Sequence, residues 1–187
     1  MKITSTTKIM LIICLPIAVI VGLWFGSNYP VVGMLALLGV AVFVAWVLLS
    51  NKQGARIDGA VLADARTLTP AAGKARLYIV RLGFYGRAQG MNISLSSGHQ
   101  GQIRGKYFMM AELDPGTITL NAQLAAQGGK VRRDLDIMLA SGDSVLIEIN
   151  LEMSMTAVTP LFTEHREQRI ISNQLGQAKM VDWLVKP

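Results

Sequence analysis

Asp114-Pro115-Gly116-Thr117-Ile118-Thr119-Leu120-Asn121-Ala122-Gln123-Leu124 reads as a turn followed by a strand. Proline presets φ at about −65°, and glycine supplies a positive φ where a tight turn needs one. After the glycine, Ile118, Leu120, Ala122 and Leu124 alternate with Thr119, Asn121 and Gln123. A period of two sends the apolar set to one face and the hydroxyls and amides to the other, the signature of a strand with one buried face.

The same period runs outward in both directions. Met91, Ile93 and Leu95 alternate with Asn92, Ser94 and Ser96. Tyr107, Met109, Ala111 and Leu113 alternate with Lys106 and Glu112, although Phe108 and Met110 place apolar side chains on the outer parity. Leu135, Ile137 and Leu139 alternate with Asp134 and Asp136, and Val145, Ile147, Ile149 and Leu151 with Glu148, Asn150 and Glu152. The stretch 75–82 is apolar on both parities except for Arg76 and Arg81, as a central strand would be. Gly128-Gly129 and Ser141-Gly142-Asp143 supply further turns. Six or seven short strands at roughly ten-residue spacing predict an all-β antiparallel sandwich over residues 74–187. Leu175, Ala178, Val181 and Leu184 recur at helical spacing and predict a short C-terminal helix, preceded by a last strand at 168–172.

The first 50 residues differ in kind. Of the 187 residues 51% are hydrophobic, and from Ile9 to Asn51 there is no Asp, Glu, Lys, Arg or His. A bilayer core of about 30 Å needs about 20 apolar residues in a spanning helix. The uncharged stretch is roughly twice that and is interrupted by Ser27-Asn28-Tyr29-Pro30, which predicts a two-helix transmembrane hairpin with helices at about 9–26 and 31–50. Trp24, Tyr29 and Trp46 would sit at membrane interfaces, with Lys52 and Arg56 at the headgroups. Gly22 to Gly26 place Trp24 and Phe25 where a signal peptidase needs small residues, so an anchor is preferred to a cleaved signal. Lys2 and Lys8 before the hairpin and Lys52 and Arg56 after it place both ends in the cytoplasm by the positive-inside rule. The location expected is therefore the bacterial inner (cytoplasmic) membrane, multi-pass, with a cytoplasmic domain. Residues 51–73, rich in Ala, Gly, Asp and Thr, read as a linker with a helical turn near 60–66.

Gly73-Lys74-Ala75-Arg76-Leu77-Tyr78-Ile79-Val80-Arg81, then Gly105-Lys106-Tyr107-Phe108, then Leu113-Asp114-Pro115-Gly116-Thr117-Ile118-Thr119-Leu120, resembles a bacterial domain of unknown function, DUF2846. The resemblance covers about residues 74–151. It implies a β-sandwich, and it supplies no reaction and no catalytic residues. The family often has His where Thr119 stands, and many of its members look like secreted lipoproteins.

Few side chains point to chemistry. The single cysteine, Cys14, lies in the apolar stretch and excludes an internal disulfide. His99 reads as a solvated loop residue. Glu164-His165-Arg166-Glu167 carries metal-capable groups, but neighbours on a strand point to opposite faces and no second His is near in sequence. Gly83, Gly86 and Gly90 between Arg81 and Arg87 lead into a strand, which favours a hairpin loop over a phosphate cradle. No catalytic residue, cofactor site or metal site is expected, and no nucleic-acid motif occurs.

The function expected is a non-enzymatic, membrane-anchored accessory or scaffold subunit acting through protein–protein contacts of its sandwich. Phe108 and Met110, with Arg104 and Lys106, form the candidate interaction surface, because an apolar outer parity suggests a covered face. Partners expected are a second copy of the chain, other membrane-protein subunits, and membrane lipid. The alternative is a module binding lipid headgroups or a small ligand through its numerous arginines and lysines.

Overall fold

The computed structural model describes residues 26–27, 29–49, 54–83, 89–125, 132–153 and 158–187. The chain divides into two compact units at residues 48 and 49.

In the first unit, helix α1 spans Pro30–Leu49. Proline suits a first helical position, where its missing N–H would have had no partner. Its first turn is closed by the Gly33 N–H, which donates to the Tyr29 carbonyl at 3.0 Å, and a Cβ built on Gly33 would lie 3.2 Å from Gly26 Cα. The first of the two expected helices, at 9–26, falls almost wholly outside the described residues, as do Trp24 and Lys52. In α1 side chains are described for only part of the length, that of Trp46 not among them. Among the described residues no helix is long and apolar enough to cross a membrane. This corrects the two-helix transmembrane hairpin and the multi-pass inner-membrane location built on it. Freedom from charge over 9–51 is a property of composition and does not by itself place a helix across a bilayer.

The second unit contains two sheets. Its strands are β1 (Arg56–Ile57), β2 (Ala75–Arg81), β3 (Met91–Leu95), β4 (Gln100–Ile103), β5 (Tyr107–Leu113), β6 (Gly116–Leu124), β7 (Arg132–Leu139), β8 (Ser144–Met153), β9 (Val158–His165) and β10 (Lys179–Val181). Two helices join them, α2 (Ala60–Ala65) and α3 (Gln168–Gly176). A six-stranded sheet has the order β1-β10-β5-β2-β8-β9 and a four-stranded sheet the order β4-β3-β6-β7. The sandwich is mixed rather than all-antiparallel, because β2 pairs β8 in parallel and β10 pairs β5 in parallel. Hairpin turns are legible locally, but the β2–β8 pairing joins strands separated by the whole four-stranded sheet, and no local signal encodes it.

Two cores hold the layers. The first lies between the sheets and is built from the apolar parity of every long strand, including Leu77, Ile79, Ile93, Leu120, Ile137 and Ile147. The second lies on the opposite face of the six-stranded sheet. There Tyr78, Val80, Phe108 and Leu146 meet Ala65 and Leu68 beside α2 and Ile171 and Leu175 of α3. Every residue of β2 is therefore buried, as its two-sided apolar sequence suggested. The described part of 51–73 is part of this second layer and not a free linker: β1 pairs β10, and Tyr78 Oη donates to the Ala65 carbonyl at 2.8 Å. The C-terminal helix starts earlier than predicted and ends at Gly176, where the chain turns into β10. Leu175, Ala178 and Met180 all face the second core, so one apolar set serves a helix end and a strand in turn.

Candidate functional site

The surface expected at Phe108 and Met110 is not a surface. Phe108 is fully buried, and Met110 packs half-buried against the second core beneath α2 and α3. Their apolar outer parity is explained by covering helices of the same chain. Lys106 is exposed and its backbone takes φ 70°. Its N–H donates to the Arg81 carbonyl at 2.6 Å, and its carbonyl accepts from the Lys179 N–H at 3.0 Å. Lys106 thus bridges β2 and β10 through its main chain. Arg104, just before it, is half-buried. Tyr29 is half-exposed at the start of the first helix, and Arg56 pairs with Asp58 at 2.9 Å.

Several of the cations are ion-paired: Lys74 with Asp114 at 2.7 Å, Arg132 with Asp134 at 3.4 Å, Arg166 with Asp143 and Glu164 at 2.9 and 2.6 Å, and Lys186 with Asp182 at 2.8 Å. Arg76 is buried and spans α2 and β5, its Nη2 2.7 Å from Asp64 and its Nε 2.8 Å from Glu112. Arg81, 1% exposed, donates to the Gln89 carbonyl at 2.6 Å. Burial pulls its guanidinium down to about 10, because desolvation penalises the charged form.

His99 is not a solvated loop residue. It is buried, its ring stands edge-on to Trp183 at 5.1 Å, and its Nδ1 lies 3.0 Å from Ser97 Oγ. Burial, with Lys186 nearby, holds its imidazole below the ordinary value, so it fills space as a neutral ring. Trp183 closes this end of the inter-sheet core and donates Nε1 to the Met110 carbonyl at 2.6 Å. Gly101 permits that closure: a Cβ there would meet Met109 Cε at 2.7 Å and Trp183 Cε3 at 3.2 Å.

The outward face of the four-stranded sheet is built differently. The six-stranded sheet is covered on both faces, by the other sheet and by α2 and α3. The four-stranded sheet turns one face inward and presents Asn92, Ser94, Gln100, Thr117, Thr119, Asn121, Gln123, Asp134, Asp136 and Met138 exposed or half-exposed. Cross-strand hydrogen bonds order this face. Thr119 Oγ1 donates to Asp136 at 2.7 Å, Asn121 Nδ2 donates to Asp134, and Gln102 Nε2 donates to Asn92 Oδ1 at 2.9 Å. The bond from Asn121, with help from Arg132, holds the Asp134 carboxyl below its ordinary range, so it stays ionised. Met138 stands 72% exposed beside these acids. A shallow depression of about 300 Å³ lies over β3, β4 and β6, lined by Asn92, Ser94, Gln100, Asn121, Gln123 and the C-terminal Leu184 and Val185. Sequence reasoning passed over Met138. The signal was present, since it shares the polar parity of Asp134 and Asp136, as Phe108 shares that of Glu112.

No family model matches the chain, and no curated protein matches it. Among solved structures it is similar to the C-terminal domain of AlgF from P. aeruginosa, with 16% identity and a TM-score of 0.36. That match covers 50% of this chain and 99% of the other.

Proposed function

We propose that the chain is a non-catalytic accessory subunit that works through protein–protein contacts on the outward face of its four-stranded sheet. The observation that carries this reading is the contrast between the two sheets, one covered on both faces by its own chain and the other open on a face that holds an exposed methionine. An exposed apolar side chain among ordered polar groups matches the build of an interface centre with a polar rim. The net charge there is negative: Asp134 and Asp136 precede Met138 on one strand face, Asn121 and Thr119 fix their carboxylates, and of the two only Asp134 has an ion-pair partner among the described residues, Arg132. The partner surface that fits offers an apolar pocket for Met138 and an Arg or Lys beside Asp136.

A photo-crosslinking amino acid at position 138, in the full chain expressed with its native neighbours, tests this. A discrete adduct that disappears when Asp134 and Asp136 are both replaced by Lys is expected. No adduct, or an adduct indifferent to those replacements, would overturn it. A second reading, a small-ligand module, is favoured by the depression over β3, β4 and β6. Its lining is of neutral amides and one hydroxyl with an aliphatic rim, so its ligand would be uncharged and not an anionic headgroup.

A further inference from the structure

Two hydrogen bonds fix which way the main chain of β7 points. The Ser96 N–H donates to the Thr119 carbonyl at 3.0 Å, so the odd-numbered residues of β6 turn their main-chain groups toward β3. Along an antiparallel strand these groups point to one side and the other in alternation. The even-numbered residues of β6 therefore bond to β7, where they meet Arg133, Leu135 and Ile137. That leaves Arg132, Asp134, Asp136 and Met138 with their main-chain groups turned out of the sheet. Arg166 agrees from the other side, its Nη2 donating to the Met138 carbonyl at 2.7 Å.

The two sheets have four edges, and three are blunted by common devices. β1 has only two residues. On β4 the Gln100 N–H donates to the Val185 carbonyl and the Gln100 carbonyl accepts from the Leu184 N–H. On β9 Pro160 has no N–H to offer, and its carbonyl accepts from Arg133 Nη1 at 3.1 Å. β7 is eight residues long, contains no proline and ends the four-stranded sheet. The N–H and C=O groups of Asp134 and Asp136 meet no main-chain partner among the described residues.

The side chains of β7 define what would complete this edge. On the inner face Leu135 packs against the inter-sheet core yet stays half-buried, whereas Ile137 beside it is fully buried. On the outer face the Asp136 carboxylate accepts from Thr119 and meets no cation among the described residues. Side chains directly opposite on neighbouring strands attract when their charges are opposite and repel when they are alike. A second copy of β7 fits poorly. Every antiparallel register that uses both Asp134 and Asp136 as rungs sets a carboxylate opposite a carboxylate.

We infer that the open edge of β7 takes an added β-strand from a partner protein, an extended segment in which aliphatic residues alternate with Lys or Arg. Its aliphatic parity faces inward beside Leu135, and its basic parity faces outward opposite Asp134 and Asp136. The main-chain bonds supply affinity, and the two parities supply selection. This rests on the protein-contact reading and specifies how the contact is made, since β7 is the margin of the face that carries Met138.

The test mixes the isotope-labelled full chain with a synthetic peptide of alternating Lys and Val whose ends are blocked. Near saturation the amide protons of Asp134 and Asp136 should exchange at least about tenfold more slowly. A peptide of alternating Glu and Val should leave them unchanged. No protection by the Lys–Val peptide overturns the added strand. Protection that appears without peptide as the chain is concentrated assigns the edge to a second copy and overturns the partner. In the native setting, Asp136→Pro removes an outward N–H and spares the β6–β7 bonds, as proline is tolerated at an edge. It should abolish the adduct formed from position 138, whereas Asp136→Asn, which keeps the N–H, should only weaken it. Amide spectra show whether the proline variant is folded; if it is not, the exchange experiment on the unaltered chain decides. An adduct that survives Asp136→Pro in a folded chain leaves the face contact standing and overturns the added strand. No adduct in the unaltered chain overturns the protein-contact reading and this inference with it.

Discussion

Replacing Phe108 with Ala is expected to destabilise the second unit by about 3–5 kcal/mol, the usual cost of removing a buried phenyl ring and leaving a cavity. The ring is fully buried on β5 between the six-stranded sheet and the helices, among Tyr78, Val80, Leu146, Ile171 and Leu175. These neighbours belong to separate strands and a helix, so the layer cannot close over the space by moving one element. At an exposed outer-face position the same substitution would change stability by no more than about 0.5 kcal/mol. Chemical denaturation of the full chain and its Phe108→Ala variant separates the two arrangements. Equal midpoints would mean that the helices do not cover this sheet.

Arg76→Ala is the second large effect. The guanidinium is buried and makes hydrogen bonds to Glu112 at 2.8 Å, to Asp64 Oδ2 at 2.7 Å and to the Asp64 carbonyl at 2.8 Å. Its removal detaches α2 from β2 and β5. Breaking a fully buried pair costs about 3–5 kcal/mol, but Asp64 and Glu112 keep contact with water, so about 2–3 kcal/mol is expected. The loss carries a pH signature. The hydrogen bond from Arg76, with help from the Ala71 N–H, holds the Glu112 carboxyl below its ordinary value. A depressed carboxylate contributes stability above its unfolded value and loses it as pH falls through that value toward the folded one. The difference between wild type and Arg76→Ala should therefore shrink as pH falls below the ordinary carboxylate range. A difference unchanged by acid would show that Arg76 acts by packing alone.

The strands were legible because their signal is local. Leu120 to Leu124 alternate in sequence and alternate in burial, and Leu77 to Val80, apolar on both parities, lies on a strand in the middle of a sheet. Sheet order was not legible, since β2 meets β8 in parallel across a long stretch of intervening chain. Phe108 misled for a related reason. An apolar residue on a polar parity reports that something covers it, and sequence does not say whether the cover is a partner or the same chain's helices. α2 and α3 were hard to foresee as that cover, because one is six residues long and lies in a stretch that resembles a linker, and the other was displaced by an apolar spacing it shares with β10. Met138 carries the same local signal as Phe108, and here no helix of the second unit buries it. The Glu148–His165 contact was invisible for the plainest reason. A lone histidine finds its partner on a neighbouring strand, seventeen positions away by number but adjacent through the β8–β9 pairing.

Methionine oxidation by mild peroxide, read residue by residue by mass spectrometry, tests the central claim most directly. In the purified full chain, Met138 should oxidise quickly while Met91, Met109 and Met180, all at or near zero exposure, stay reduced. In the chain assembled with its native neighbours, Met138 should become protected while its purified counterpart remains reactive. Met138 equally reactive in both settings would contradict a protein-contact role for the open sheet face.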